Sequence, residues 1–256
     1  MEYAHIMPED IFKNPEVKVY VEAGNSCLGA LGFTEHGRPH AKRCSNYARN
    51  ILEALDYDTR TCELAAIAGY LHDIGNTVNR VDHAHSGAIM AFTLLTRMNM
   101  PPEEIAIICS AIGHHDEKTA FPVNAVSAAL ILSDKSDVRR SRVRKNAIIA
   151  TDIHDRVNYA VVNASLKIDK EQKLCLFNIT IDTDICPVME YFEIFLDRMV
   201  LCRKAADLFG AHVRAYHQRH ASAVIPPQNA KHKNRRSRAR FRVRLLLHFH
   251  AMSVCL

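Results

Sequence analysis

The sequence contains few of the residues that form tight turns. Nine glycines and nine prolines make up about 7% of 256 residues, against a usual share of about 12%. This shortage favours long helices over a turn-rich β architecture. No apolar run approaches the ~18 residues needed to cross a bilayer, and the first ten residues carry three acidic side chains in place of the basic segment of a secretion signal. We therefore expect a cytoplasmic protein with no membrane partner.

Cysteine pairs at redox or metal-binding spacing are also absent. The eight cysteines are scattered, and no two of them form a Cys-x-x-Cys pair. This pattern is typical of isolated reduced thiols in a cytosol. It argues against a disulfide framework and against a zinc knuckle.

Acidic residues are missing from the last 46 positions. Residues 1–210 hold 23 of the 33 basic residues and all 28 acidic residues, a net charge of −5, whereas the whole chain carries +5. The change in composition predicts a boundary near Gly210. Beyond it, residues 211–256 show no clear helical or strand period and are expected to form a weakly ordered basic tail. Nucleic acid would bind only through this tail, by phosphate contacts.

Apolar periodicity predicts a mainly α-helical body. Tyr159–Ile168 and Lys173–Ile181 alternate apolar residues on either side of a polar turn, which predicts a β-hairpin. The helices are predicted from Pro8, from Pro15 and from Pro101–Pro102, and over about Pro39–Leu55, Thr61–Ile74, Asp82–Met98, Val123–Lys135 and Pro187–Phe209.

Titratable side chains interrupt the apolar faces of four of these helices. His40, His72, His115 and Asp134 each continue a stripe of apolar or small residues at helical spacing. One buried histidine is more often bonded to a carbonyl than to a metal, but a buried group of imidazoles and carboxylates carries a large cost for each unpaired charge. A divalent cation removes that cost. Imidazole and carboxylate donors without a thiolate favour Mn, Fe, Ni, Co or Mg over a structural zinc site.

The ordered motifs resemble the HD-domain superfamily of metal-dependent phosphohydrolases. They cover roughly residues 35–145 and comprise His40, HDIGN at 72–76, HAHSGA at 83–88, HHDE at 114–117 and Asp134. The resemblance implies an HD-like helical bundle over residues 1–145, with the hairpin and a closing helix over 146–210 as an appendage packed on it. A lid, a dimer surface and a structural role are open for this appendage, and the structural role is favoured.

The same resemblance implies the ligands of one or two divalent ions. One ion would be held by His40, His72, Asp73 and Asp134, with His72 and Asp73 as the catalytic pair. A second ion, as in the dinuclear branch of the family, would be brought in by His83, His114 and His115, with Asp73 as the bridge.

Two further histidines stay open as contributors. His83 is preferred to His85 because it stands four residues before Gly87, as in the family's HxxxGA pattern. His85 remains an alternative ligand or a core histidine. His36 lies four residues before His40 and is a less favoured ligand or substrate contact.

The sequence departs from the family where the substrate is bound. The family's HDIGK lysine, which contacts the substrate phosphate, is Asn76 here, and Arg80 is the nearest cation. The segment 114–122 aligns loosely with the HHExxxGxGYP segment of cyclic-dinucleotide phosphodiesterases but lacks its glycines and tyrosine, so that substrate is not expected. Phosphate contacts are predicted from a basic run after Asp134, which comprises Arg139, Arg140, Arg142, Arg144 and Lys145.

These observations predict a phosphomonoesterase or phosphodiesterase that uses a metal-activated water. Its substrate would be a phosphate ester or anhydride of a nucleotide or another small phosphorylated metabolite. An HD-fold di-iron oxygenase and a non-catalytic metal or nucleotide sensor are the alternatives, and the missing lysine favours the sensor. Assembly into a homo-oligomer is left open.

Overall fold

The computed structural model describes residues 2–144, 153–171 and 174–209, together with strands at 211–218 and 240–249. Among its helices, none is both long and apolar enough to span a lipid bilayer. In these ranges the helices are α1 (Pro8–Lys13), α2 (Pro15–Ala30), α3 (Arg38–Ala54), α4 (Thr59–Leu71), α5 (His83–Arg97), α6 (Pro102–Gly113), α7 (Ala125–Lys135), α8 (Ile153–Ala160) and α9 (Val188–Leu208). The strands are β1 (Val161–Asp169), β2 (Leu174–Asp182), β3 (Ala211–Gln218) and β4 (Arg240–Phe249).

The expected mainly α-helical fold with a hairpin and a closing helix is confirmed. Each helix of the sequence-based prediction is present within a few residues of its expected ends. Helix α8 was not predicted. It is short and leads directly into β1, and its last two residues, Tyr159 and Ala160, fall within the predicted first strand of the hairpin.

Helix α4 is the centre of the bundle. All ten residues from Cys62 to Leu71 are buried, and the helix packs against α1, α3, α6 and α7. Gly69 allows α3 to approach closely, because a Cβ at this position would lie 2.8 Å from the backbone of Ser45. This approach brings His72, at the end of α4, beside His40 in the first turn of α3.

The HDIGN segment ends α4 earlier than predicted. The chain leaves the α-helix after Leu71 and forms a 3-10 turn over Ile74–Thr77. Gly75 lies against the first turn of α5, where a Cβ would collide with the backbone of His83 and Gly87. The close contact places the His72–Asp73 pair next to the start of α5.

The sheet contains more than the predicted hairpin. Strands β1 and β2 form that hairpin, and the described strands are ordered β1-β2-β4-β3 with antiparallel pairing between neighbours. Strand β4 pairs with β2, for example Ile179 with Val243.

Strands β3 and β4 lie within the predicted tail, and the expectation of a weakly ordered tail stays a prediction. In residues 240–243, arginine alternates with Phe241 and Val243. This short alternation forms a strand by pairing with β2, which is distant in sequence. Residues 219–239 and 250–256 lie outside the described part of the chain. The boundary near Gly210 stays a prediction.

Candidate metal centre

Six histidine and aspartate side chains meet at one end of the helical bundle. They come from the first turns of α3 and α5, the end of α4, the residues directly after α4 and α6, and the last turn of α7. These residues are His40, His72, Asp73, His83, His115 and Asp134. The four histidines are 0–2% exposed, and the two carboxylates are 10% and 12% exposed, so the cluster is buried and its carboxylates are its most exposed part.

The first half of the cluster consists of His40, His72, Asp134 and one oxygen of Asp73. His40 Nε2 lies 3.3 Å from His72 Nε2, and 3.4 Å from both Asp73 Oδ2 and Asp134 Oδ1. His72 Nε2 lies 3.1 Å from Asp73 Oδ2. Donors bound to one ion at about 2.1 Å lie about 3.0 Å apart in an octahedron and about 3.4 Å apart in a tetrahedron. The observed separations therefore fit one metal ion.

The second half consists of His83, His115 and the other oxygen of Asp73. Asp73 Oδ1 lies 3.6 Å from His83 Nε2 and 3.9 Å from His115 Nε2, and the two Nε2 atoms are 3.2 Å apart. The two carboxylate oxygens of Asp73 thus face different pairs of histidines. Oδ2 is buried without a hydrogen-bond partner in the described structure. This division is the geometry expected of a bridging carboxylate.

The imidazoles of the cluster are oriented in the same way. Each ring directs Nδ1 to an oxygen acceptor, so that Nδ1 carries the proton and Nε2 faces the cluster. The acceptors are Asp137 Oδ2 at 2.8 Å for His40, and the carbonyls of Gly69 at 2.9 Å for His72, Arg80 at 3.1 Å for His83 and Ile112 at 2.6 Å for His115.

The facing Nε2 atoms of His83 and His115 need a cation. Burial lowers the pKa of both imidazoles. At His115, burial and repulsion from His72 and His83 together lower the pKa well below its usual range. Both rings are therefore neutral near pH 7, and with Nδ1 protonated their Nε2 lone pairs lie 3.2 Å apart, with the Arg80 guanidinium 3.1 Å from that of His83. A positive ion shared by the two lone pairs relieves this arrangement.

The carboxylates of the cluster are ionised. Burial alone would raise the pKa of Asp73, but His72 and His40 hold it well below its usual range. Burial alone would also raise the pKa of Asp134, but Lys135 holds it well below its usual range. Burial and Arg142 act to lower the pKa of His40, yet contacts that include Asp134 and Asp137 raise it well above its usual range. An ion at His40 Nε2 therefore competes with a proton.

The remaining candidate histidines differ in their distance from this cluster. His114 Nδ1 lies 2.9 Å from the carbonyl oxygen of Ser110, and no described contact joins its ring to Asp73. His85 is 61% exposed and directs Nδ1 towards Asp82, so the structure brings His83 and not His85 to the cluster. His36 lies at its edge, with its ring centre 5.3 Å from that of His40. A ligand role for His114 stays a prediction.

Asp137 supports the cluster but was not found from the sequence. It is fully buried, accepts the Nδ1 proton of His40 and is held by Arg43 Nε at 3.0 Å and Arg139 Nε at 2.7 Å. Its position three residues after Asp134 was the available signal. The histidine it orients could be identified only from the structure.

Cys44 adds a thiol to the first half of the cluster. Its Sγ lies 3.6 Å from both ring nitrogens of His40 and belongs to one group of donors with His40, His72 and Asp134. Cys44 follows His40 by four residues, so the two side chains lie on the same face of α3. Burial raises its pKa to about 11, so the sulfur is a neutral thiol near pH 7. The ionised or lone-pair donors are thus still imidazole and carboxylate.

The basic run after Asp134 lies mostly against the protein itself. Arg142 donates to the carbonyl oxygens of Glu35 and Asp137, and Arg144 donates to the carbonyl oxygens of Phe33 and Asn25. These bonds attach the segment after α7 to α2 and to the loop between α2 and α3.

Two other members of the run have similar contacts. Arg139 binds Asp137, and Arg140 donates to the carbonyl oxygen of Tyr159 and stacks on its ring. Lys145 lies outside the described residues. Phosphate binding by this run stays a prediction.

Asn76 and Arg80 are closest to the cluster among the predicted substrate contacts. Asn76 is buried and donates from Nδ2 to Asp73 Oδ1 at 2.9 Å, so it orients the bridging carboxylate. Arg80 is half-buried, and its Nη1 lies 3.1 Å from His83 Nε2. Among the described residues it has no carboxylate partner.

Comparison with known proteins supports this interpretation. The family model of the HD domain matches residues 39–157, a range that contains all six residues of the cluster. The uncharacterized protein MJ1020 of Methanocaldococcus jannaschii is 31% identical over a segment that covers 30% of this chain and 36% of the relative. The chain therefore spans about a third of that relative's length. No solved structure was found to match.

The family match and the geometry agree on the same residues. The HD domain at residues 39–157 contains a buried His/Asp cluster with the donor set and donor spacing of a metal site. Residues 39–157 are thus identified as an HD domain, and this matched range carries the whole cluster.

Proposed function

We propose that this protein hydrolyses a phosphate ester or anhydride of a nucleotide or another small phosphorylated metabolite at a centre of two divalent ions. The observation that carries the proposal is the division of Asp73. Its Oδ2 faces His40 and His72, whereas its Oδ1 faces His83 and His115. One carboxylate would thus hold two ions side by side, as two-metal phosphohydrolases require.

The chain's own residues would set up the reaction. A bound divalent ion lowers the pKa of its water towards about 7 and polarises a phosphoryl oxygen. Asp73 would fix the separation of the two sites. Asn76 donates to Oδ1 of the Asp73 carboxylate, so it would take an orienting role in place of the phosphate contact made by the family's lysine.

Arg80 is the residue best placed to bind the substrate phosphate. In the structure its guanidinium donates to His83 Nε2 and lies over the ring of Phe33, 5.5 Å from its centre. An ion at His83 would take over the Nε2 lone pair. The guanidinium would then be available to an anion at the edge of the cluster.

The test combines metal analysis with a screen for phosphate release. The purified chain, loaded separately with Mn, Fe, Co, Ni or Mg, is assayed on nucleotides, phosphomonoesters and phosphodiesters. We expect phosphate release or diester cleavage that Arg80→Gln reduces by raising KM. The matched control is Arg97→Gln. Arg97 is the last residue of α5, and its side chain is 65% exposed and paired with Glu16.

Other outcomes would separate the alternatives. Iron binding with dioxygen consumption and no hydrolysis would replace the proposal with the oxygenase. Tight binding of a metal and a nucleotide without turnover would replace it with the sensor.

A further inference from the structure

A chain of ion pairs connects the metal centre to helix α9. Lys135 Nζ lies 2.7 Å from Asp134 Oδ2 and 3.6 Å from Glu117 Oε1. Arg198 of α9 approaches the same Oε1 of Glu117, with its Nε at 2.6 Å. The order Asp134, Lys135, Glu117, Arg198 alternates negative and positive charge. It runs from the buried cluster to the surface of the predicted appendage.

The two oxygens of Asp134 have different environments. Oδ1 lies 3.4 Å from His40 Nε2 and 3.7 Å from His72 Nε2, on the side of the donor cluster. Oδ2 is paired with Lys135. A free carboxylate can present either oxygen or both to a metal ion. The ammonium group of Lys135 occupies one of them and leaves Oδ1 as the donor.

Lys135 needs a second anion to hold it there. Its side chain is only 7% exposed, and a buried ammonium group requires compensation. Burial acts to lower its pKa, but Asp134 and Glu117 raise it, so the group is charged. Glu117 lies in the loop between α6 and α7, where no regular helix fixes its side chain.

Arg198 supplies the fixed end of this chain. Its guanidinium stacks on Phe195, with the carbon centre 4.6 Å from the ring centre, and Phe195 is itself buried. Stacking pre-organises the planar guanidinium and reduces the entropy lost in binding Glu117. Helix α9 also packs directly against α7, which carries Asp134.

We infer that Arg198 and Glu117 are positioning residues of the metal centre, which act through Lys135 to direct Asp134 Oδ1 at the ion. The inference rests on the metal site of the proposed function but does not depend on the substrate. It gives the helix after the hairpin a role in metal binding, beyond the structural role expected from the sequence.

The sign of the effect distinguishes positioning from simple electrostatics. Replacing Arg198 by glutamine removes a positive charge near a cation site, which by Coulomb's law alone would tighten metal binding. If Arg198 positions Asp134, the same change weakens binding. Partners of metal ligands typically contribute 10- to 100-fold in affinity, and Arg198 is more remote, so we expect a loss of about threefold to tenfold.

The experiment is a Mn2+ titration of the full chain by equilibrium dialysis, with metal content measured directly. Arg198→Gln should weaken Mn2+ binding at the tighter site, whereas Arg198→Lys, which keeps the charge but lacks the stacked guanidinium, should lose less affinity than Arg198→Gln. The matched control is Arg203→Gln, an exposed arginine on the same helix, which should bind as the unaltered chain does. Circular dichroism and thermal unfolding monitor the fold of each variant.

Coupling between the residues gives the second readout. In a Glu117→Gln background, Arg198→Gln should cause no further loss, because both residues act through one path to Asp134. Unchanged or tighter Mn2+ binding in a folded Arg198→Gln chain would overturn the inference, as would strictly additive effects. Failure of the unaltered chain to bind any divalent ion would instead refute the metal centre itself.

Discussion

The two halves of the cluster around Asp73 are built differently. In the first half, His40 is held by the buried carboxylate of Asp137, and Asp134 is held by the ammonium group of Lys135. In the second half, His83 and His115 direct Nδ1 to backbone carbonyls, and no described carboxylate binds either Nδ1. The first half thus concentrates charge, whereas the second offers neutral lone pairs.

This difference predicts the order in which the two ions bind. Two carboxylates and two imidazoles attract a cation more strongly than two neutral imidazoles that share one carboxylate oxygen. Asp137 also makes His40 a more basic donor, as carboxylate partners of ligating histidines do. We expect a tight first ion in the half that contains Asp134 and a weaker second ion in the half that contains His115.

The largest effect is expected where the two halves meet. Asp73→Ala removes a donor from both, so metal content and hydrolysis should be lost together. Elemental analysis of the purified variant measures the metal directly. Asp197→Ala, at an exposed position of α9, is the control. Full metal content in a folded Asp73→Ala chain would show that the bridge is assigned wrongly.

Loss of the Asp137 carboxylate should weaken metal binding in the first half of the cluster alone. Asp137→Asn keeps an oxygen acceptor for His40 Nδ1 but removes the charge, and we expect the tighter Mn2+ site to lose about 10- to 100-fold in affinity. Because Arg43 and Arg139 also lose their ion-pair partner, the temperature of thermal unfolding should fall. Affinity equal to that of the unaltered chain would mean that the charge of Asp137 serves only the fold.

His115→Ala should remove the second ion and leave the first. The expected change is from about two bound ions per chain to about one, read by metal titration. His85→Ala is the matched control, since His85 is exposed and lies outside the cluster. An unchanged stoichiometry together with lower stability would identify His115 as a core histidine.

The two halves should also differ in the protons that they release. The raised pKa of His40 means that the ring is protonated at pH values below it, so the first ion must displace a proton and binds more weakly as the pH falls. Burial lowers the pKa of His83 and of His115, so the second ion should displace none near pH 7. Calorimetry in two buffers of different ionisation enthalpy counts the protons. Equal release in both steps would contradict the comparison.

The smallest effect on the cluster is expected from removal of the basic tail. A chain that ends near Gly210 should keep its metal and its activity, and any salt-sensitive binding to nucleic acid should disappear. It should lose some stability, because β4 pairs along the edge of β2. Loss of metal from a truncated chain that is still helical by circular dichroism would place the tail in the catalytic unit.

Local patterns were sufficient to predict most of the helices and to place three of the candidate ligands on the apolar faces of their helices. His40, His72 and Asp134 each interrupt an apolar stripe on their own helix, and such a signal depends only on neighbours within a few turns. The position of His83 came from its spacing to Gly87. The structure supplies the reason for that spacing, because Gly75 and Gly87 allow the HDIGN turn to touch α5.

Supporting residues could not be predicted because their partners are distant in sequence. Asp137 is identified by its bond to His40, 97 residues away, and Lys135 by its place between Asp134 and Glu117. A lysine and an aspartate near the end of a helix are otherwise typical of a solvated surface. The pairing of β4 with β2 was missed for the same reason.

The most direct test of the unequal two-ion centre is anomalous X-ray diffraction from crystals of the unaltered chain grown with Mn2+. We expect two anomalous peaks, one on each side of the Asp73 carboxylate. The peak beside His40, His72 and Asp134 should reach full occupancy at a lower Mn2+ concentration than the peak beside His83 and His115. A single peak at all concentrations, or a reversed order of filling, would contradict this account.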